Sequence, residues 1–180
     1  DVEIRVHPTL VPKNRLVANV DGAMNAVLVH GNMVGPTLYY GAGAGAEPTA
    51  SAVVADVIDI ARQTKLSQNT LIPSLGFMPD KINEKNILSI ENIFSEYYLR
   101  FTMKNQAGLL AKITNIFADH DISINSMVHK EVQENNQNPD IFLITSKTKE
   151  ADIDTIISEI ELLPENTEKV VKIRTEELNK

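Results

Sequence analysis

The sequence predicts an α+β protein in two parts, a partial mixed-sheet domain followed by a smaller domain that alternates strands and helices. Three observations carry this expectation. Residues 96–180 read strand, helix, strand, strand, helix, strand. Residues 1–66 hold short strands and one strongly striped helix. Residues 67–95 hold no sustained period and read as a linker.

In the first part, "VEIRVHPTLV" (Val2–Val11) alternates Val2, Ile4 and Val6 with polar neighbours, which predicts a strand that Pro8 ends. "NAVLVHG" (Asn25–Gly31) and "PTLYYG" (Pro36–Gly41) are short apolar runs with Gly31 and Gly35 between them. A hairpin or a pair of adjacent strands is expected there. Ala50, Val53, Val54, Val57, Ile58 and Ala61 recur at helical spacing and form one apolar stripe. Pro48 suits the first position of that helix, where a missing N–H costs nothing. Beyond it, Thr64–Asn86 carries Pro73, Gly76 and Pro79. Its Leu71, Ile72, Phe77 and Met78 are expected to pack against a domain.

In the second part, Tyr97, Leu99, Phe101 and Met103 alternate with Tyr98, Arg100, Thr102 and Lys104, the pattern of a half-buried strand. "NQAG" (Asn105–Gly108) is a turn. Leu109, Leu110, Ile113, Ile116 and Phe117 make a helical stripe from Ala107 onward. Asp121–Val132 and Asp140–Lys147 read as strands joined by the polar loop Gln133–Pro139. Ile153, Ile156, Ile157, Ile160 and Leu163 form a second helix, with acidic neighbours that read as a solvated face, and Glu168–Thr175 is a last strand. This βαββαβ order is that of a ferredoxin-like split βαβ unit. Its four antiparallel strands carry both helices on one face. The other face still needs cover, and dimerisation is the usual source.

Composition narrows the function classes. With 43% hydrophobic and 23% charged residues the chain has the make-up of an ordinary globular protein. The net charge is −7 and no segment is basic, so neither nucleic acid nor an anionic membrane surface is an expected partner. No cysteine is present, which excludes disulfides, thiolate metal sites and cysteine nucleophiles. No apolar run has the length of a membrane span. His7, His30, His120 and His129 share no metal-ligand spacing, so no metal site is expected. An intracellular, cytoplasmic location is the default. A chain that begins without Met, directly in strand-like sequence, reads as a trimmed fragment.

"YYGAGAGAEPTASAVVADVIDIAR" (Tyr39–Arg62) is the most distinctive stretch. Gly41, Gly43 and Ala46 fit the spacing G-x-G-x-x-A between a strand and a helix, half of a dinucleotide-binding context. The other half, a second parallel strand ending in an acidic residue, is missing. Two readings remain open on chemistry alone. Either the glycines serve a tight turn and close packing, or backbone N–H groups at the helix start face a ligand held mainly elsewhere.

At this point the sequence resembles a known family. His7-Pro8, Leu16–Val20, "DGAMNAV" (Asp21–Val27) and above all "YGAGAGAEPTASAVVAD" resemble the closing part of the homoserine dehydrogenase catalytic domain. Tyr97–Met127 resembles an ACT domain, a small amino-acid-sensing module found after that catalytic domain in many bacterial members. The resemblance implies a C-terminal piece: residues 1–66 completing the catalytic and dimerisation domain, 67–95 a linker, 96–180 an ACT domain. It implies that the nicotinamide-binding domain and the catalytic residues lie upstream, so no catalytic residue is expected here. NADP or NAD would serve the full-length parent, with neither expected to bind this fragment stably. The glycine turn would reach back to that cofactor through Gly45, with Gly43 beside it. In the ACT part, Asn105, Gly108 and Leu109 at the helix start and Asn125 on the next strand, across a dimer interface, are the candidate contacts for an amino-acid effector, L-threonine being the natural one. Asn105 as a mere helix cap and Gly108 as a mere packing residue are the structural alternative. Where many family members carry Gln, this chain has His129. A homo-oligomer, dimer or tetramer, is expected. Two rivals stand beside this: a non-catalytic amino-acid-binding protein, and an ACT unit that serves only oligomerisation.

Overall fold

A computed structural model describes residues 1–65, 73, 75–130, 138–176 and 178. Along the chain, β1 (Thr9–Leu10), β2 (Met24–Gly31) and β3 (Gly35–Ala42) precede α1 (Ala46–Gln63). Then follow β4 (Phe94–Thr102), α2 (Leu109–Asp119), β5 (Ile124–Lys130), β6 (Asp140–Thr145), β7 (Thr148–Lys149), α3 (Glu150–Glu161) and β8 (Val171–Thr175). They form two units, Asp1–Pro12 with Asn86–Glu177, and Lys13–Lys85 with Leu178–Lys180.

The larger unit is the ferredoxin-like one. Its sheet runs β1-β8-β4-β6-β5, with β4 antiparallel to β6 and β8, and β5 antiparallel to β6. The alternation read in β4 is realised: Tyr97, Leu99 and Phe101 are buried on one face while Tyr98, Arg100 and Thr102 stand on the other. The buried row meets Ile113 and Phe117 of α2, Ile153, Ile156 and Ile160 of α3, and Ile141 and Leu143 of β6. Each such side chain contributes about 2 kcal/mol of transfer free energy, which makes this unit a self-contained core. Asp121, at φ 56, turns the chain between α2 and β5, so β5 starts later than the sequence pattern predicts. Residues 131–137, most of the predicted hairpin loop and the end of its first strand, lie outside the described residues.

The N-terminal strand differs from expectation. Val2–Val11 shrinks to Thr9–Leu10, which pairs in parallel with Arg174 and Thr175 at the edge of β8. A lone parallel bridge joins Val2 to Ile87. Pro8 offers no N–H to a ladder, and Ile4 and Val6 remain exposed. β7 is an addition that the sequence did not announce; it pairs with Phe94 and Ser95.

In the smaller unit β2 and β3 form the expected antiparallel hairpin, turning at Gly31–Gly35. Gly35 has φ 76, a conformation glycine adopts without penalty. α1 begins at Ala46, so Pro48 is its third residue, not its first. The first-turn N–H groups have no intrahelical acceptor anyway, so the helix loses nothing there. The helix buries none of its residues. Phe77 and Met78 of the linker are exposed as well, against the expectation of packing; Leu71 and Ile72 lie outside the described residues.

Candidate functional site

The glycine turn comes directly off β3. Gly43 donates its N–H to the Ala23 carbonyl at 3.0 Å, which closes the end of the hairpin. A Cβ on Gly43 would fall 1.4 Å from the Asn25 amide nitrogen, so this position excludes every side chain unless Asn25 moves. Asn25 sits in β2 opposite Gly41. With Tyr39, Tyr40 and Gly41 it lines a shallow, mostly apolar depression on the hairpin. The sequence offered one signal for Asn25, its place inside the "DGAMNAV" block.

Gly45 is the N-cap of α1, with φ 131 and ψ 147, a region closed to other residues. Its carbonyl accepts the Thr49 N–H at 3.2 Å. Gly45 is thus required by its backbone conformation, and Gly43 by the Asn25 side chain that lies against it. The helix start makes a modest anion cradle. Pro48 removes one first-turn donor and Glu47 already places a carboxylate there, leaving the N–H groups of Ala46 and Glu47. That suits the approach of a polar group more than a full set of bonds to a phosphate.

In the other unit the turn after β4 ends at Gly108, the N-cap of α2, with φ 84 and ψ −3. A Cβ there would meet nothing within 4 Å, so the left-handed backbone, and not packing, demands glycine. The helix begins at Leu109, two residues later than the sequence pattern predicts. Asn105 is exposed and supplies no side-chain cap, which removes the reading of it as a helix cap. Leu109 is buried, and its N–H is spent on the Gln106 carbonyl at 3.1 Å. The N–H groups of Leu110 and Ala111 keep no acceptor among the described residues. Lys112 does not stand ready for an anion: its ammonium contacts Glu165 at 2.5 Å. That hydrogen bond, with one from the backbone, holds the Glu165 carboxyl below its usual range.

Asn125 lies where β5 bulges between Ile124 and Ser126, and its amide donates to the Thr145 carbonyl at 3.2 Å. It does not meet the turn within one chain. β5 and β4 run in the same direction, both antiparallel to β6. Asn125 therefore sits past the C-terminal end of α2, and Gly108 at its N-terminal end, roughly 16 Å away along an 11-residue helix. The β5 residue level with the turn is His129, paired through Ile141 with Phe101. Its Nε2 is buried and has no partner among the described residues.

A second polar centre is hidden in the sequence, because its carboxylate belongs to a run of acidic residues expected to face water. Glu150 is buried at the first position of α3. It accepts the Tyr97 hydroxyl at 2.5 Å, Lys172 at 2.6 Å and the Arg174 guanidinium through Nε at 3.0 Å. Both cations also stack on the Tyr97 ring at under 6 Å from its centre. Burial by itself would raise the Glu150 pKa, but the bonds from Lys172, Tyr97 and Arg174 outweigh it and bring it to about 2. Burial, then the bond to Glu150, pushes the Tyr97 hydroxyl far above its ordinary range. Every partner is satisfied, which makes this a structural tie between α3, β4 and β8. His120, at the end of α2, contacts Glu159 at 2.8 Å. Among the described residues no group of three His, Asp or Glu is placed to hold a metal. Nor is any helix there long and apolar enough to cross a membrane.

The larger unit is a ferredoxin-like fold with a glycine-capped helix start, and the ACT domain family model matches residues 97–165. The homoserine dehydrogenase family model matches residues 1–58. The two parts of the chain are thus similar to homoserine dehydrogenase and to the ACT domain in turn. The homoserine dehydrogenase of Pseudomonas aeruginosa is 46% identical to it, over 98% of this chain and 41% of its own length. That of Neisseria gonorrhoeae is 46% identical, over 99% of this chain and 41% of its own. Among solved structures, a homoserine dehydrogenase from Thiobacillus denitrificans is 51% identical, covers 98% of this chain and 39% of its own, and superposes with a TM-score of 0.87. The chain therefore spans about two fifths of the length of these relatives.

Proposed function

We propose that this chain is the C-terminal part of a homoserine dehydrogenase, an NAD(P)-dependent enzyme that interconverts L-aspartate 4-semialdehyde and L-homoserine on the cytoplasmic route to threonine, methionine and isoleucine. The observation that carries the reading is the unbroken similarity to homoserine dehydrogenases across both units. Residues 1–66 complete the catalytic and dimerisation domain, 67–95 link, and 96–180 regulate. None of the residues in this chain carries out the hydride transfer. Gly45, with Gly43, offers a closely approachable backbone to a cofactor held upstream; Gly45→Val in the full-length enzyme is expected to raise the cofactor KM. An unchanged KM in a folded enzyme removes that contact.

The ACT part takes L-threonine as a feedback effector, in a homo-oligomer. The free N–H groups of Leu110 and Ala111 beside Gly108 support a carboxylate there, and Asn125 reaches such a site only from a second copy. Binding acts by favouring one subunit arrangement, which requires different affinity for the two. Calorimetric titration of L-threonine, with L-serine and L-homoserine as controls, tests it. Saturable threonine-selective heat is expected. A flat trace from folded, oligomeric protein favours the second reading, a purely structural ACT unit, for which the engaged Asn125 amide speaks.

A further inference from the structure

The sheet of the larger unit keeps one face free of its helices. On β4 that face carries Glu96, Tyr98, Arg100 and Thr102, opposite to the row that packs on α2 and α3. Around Tyr98 the face is apolar. Ile144 and Ile173 flank it in register on either side, and the Tyr98 and Phe142 rings lie 6.3 Å apart. Phe142 and Val171 flank Arg100 in the same way. Arg100 is half-buried among these groups and makes no ion pair among the described residues. A guanidinium set into an apolar patch is costly without a carboxylate to pair with.

The charges on this face are arranged about a centre. Glu96 and Arg100 lie two residues before and two after Tyr98, on the same side of one strand. Among the described residues Glu96 has only a marginal contact, from the Thr175 hydroxyl at 3.5 Å. A two-fold axis through Tyr98, across the strands, would lay one such face on another with β4 antiparallel to its copy. Each Glu96 then meets the Arg100 of the other copy, Tyr98 meets Tyr98, and Ile144 and Ile173 meet their counterparts. Two-fold interfaces require this kind of self-complementarity, residue i on j and j on i. Sheets packed face to face at about 10 Å bury such a row fully.

We propose that this face is an interface with a second copy of the same chain, self-paired about Tyr98 with reciprocal Glu96–Arg100 ion pairs. The proposal rests on the homo-oligomer reading given above and adds a contact separate from the one by which a second copy's Asn125 would reach the Gly108 turn. The test is charge reversal in the full-length protein, read as self-association by analytical ultracentrifugation, with circular dichroism to verify folding. Glu96→Arg and Arg100→Glu each place like charges opposite one another and are expected to weaken this association on the order of a hundredfold or more. The double swap, Glu96→Arg with Arg100→Glu, restores opposite charges across the axis and is expected to bring the association back to within about tenfold of the original. Single variants that assemble unchanged overturn the proposal. A folded double swap that stays dissociated overturns it too, since the two residues then face something other than each other. A flat threonine titration bears on the effector alone and leaves this comparison intact.

Discussion

In the β4–β8 unit the apolar stripe of each helix ends inside a core: Ile113 of α2 and Ile153 of α3 are wholly buried. The stripe of α1 is as regular in sequence, yet Val53, Val54, Val57 and Ile58 all stay open, Val57 at 60% exposure. Tyr39 and Tyr40 of the hairpin are open as well. Helical spacing tells that a face is apolar and leaves undetermined what covers it. The ACT unit closes on itself because its four long strands present one continuous row to two helices. Among its described residues the glycine-turn unit has two strands and one α-helix, too little surface to enclose a core. A stripe left open at that length is a large exposed apolar face.

The comparison is broken most directly in the cores. Phe101→Ala is expected to cost about 3–5 kcal/mol in denaturant unfolding of the chain, while Val57→Ala stays within about 0.5 kcal/mol. A Val57→Ala cost as large as that of Phe101→Ala would show α1 buried in solution. Glu150→Gln takes the carboxylate from Arg174 and leaves Lys172 with Asp154, and is expected to cost about 3 kcal/mol, measured in the same way.

Titration sharpens the contrast, because the shifted groups of the buried tie all belong to the ACT unit. Glu150 has its folded pKa lowered from 4.5 to about 2, so its contribution is full above pH 4.5 and is lost as pH falls toward 2. On the order of 3 kcal/mol goes with it. Tyr97 shifts the other way, so its neutral form contributes below pH 10 and the contribution fades at more alkaline pH. Acid melts followed at the near-ultraviolet signal of Tyr97 and Tyr98 are expected to steepen between pH 4.5 and 2. The Glu150→Gln variant is expected to flatten that dependence, and an unchanged slope would remove Glu150 as its source.

Smaller effects separate the two glycine caps. Gly45→Ala is expected to cost about 2 kcal/mol, from a backbone region that alanine avoids. Gly108→Ala is expected to cost about 1 kcal/mol, since only left-handed strain is at stake in open space. Thermal unfolding of both variants ranks them; the reverse order would mean that something occupies the space beside Gly108.

Much of the ACT fold was legible because its elements are long and strictly periodic. Tyr97, Leu99 and Phe101 at period two, and Leu109, Ile113 and Phe117 at helical spacing, both found their core. The sites were less legible. Gly108 could be read as a turn residue, but the two-residue delay of α2 follows from its left-handed backbone, which no spacing shows. Asn105 and Asn125 were read as contacts that meet across a dimer interface, and within one chain the strand register puts the length of α2 between them. Glu150 was hidden among acidic neighbours because burial depends on the cations that β8 brings from more than twenty residues on.

By itself the sequence determined the βαββαβ order and the adjacent strands before the glycine turn. These follow from local rules, side-chain period and backbone sterics, which each segment carries within it. Only the tertiary structure decided that Thr9 and Leu10 join the edge of β8, that Glu150 ties three elements together, and that the α1 stripe stays open. Those outcomes depend on which strand edges, charges and apolar faces become neighbours, and residues distant in sequence meet only once the sheet has formed.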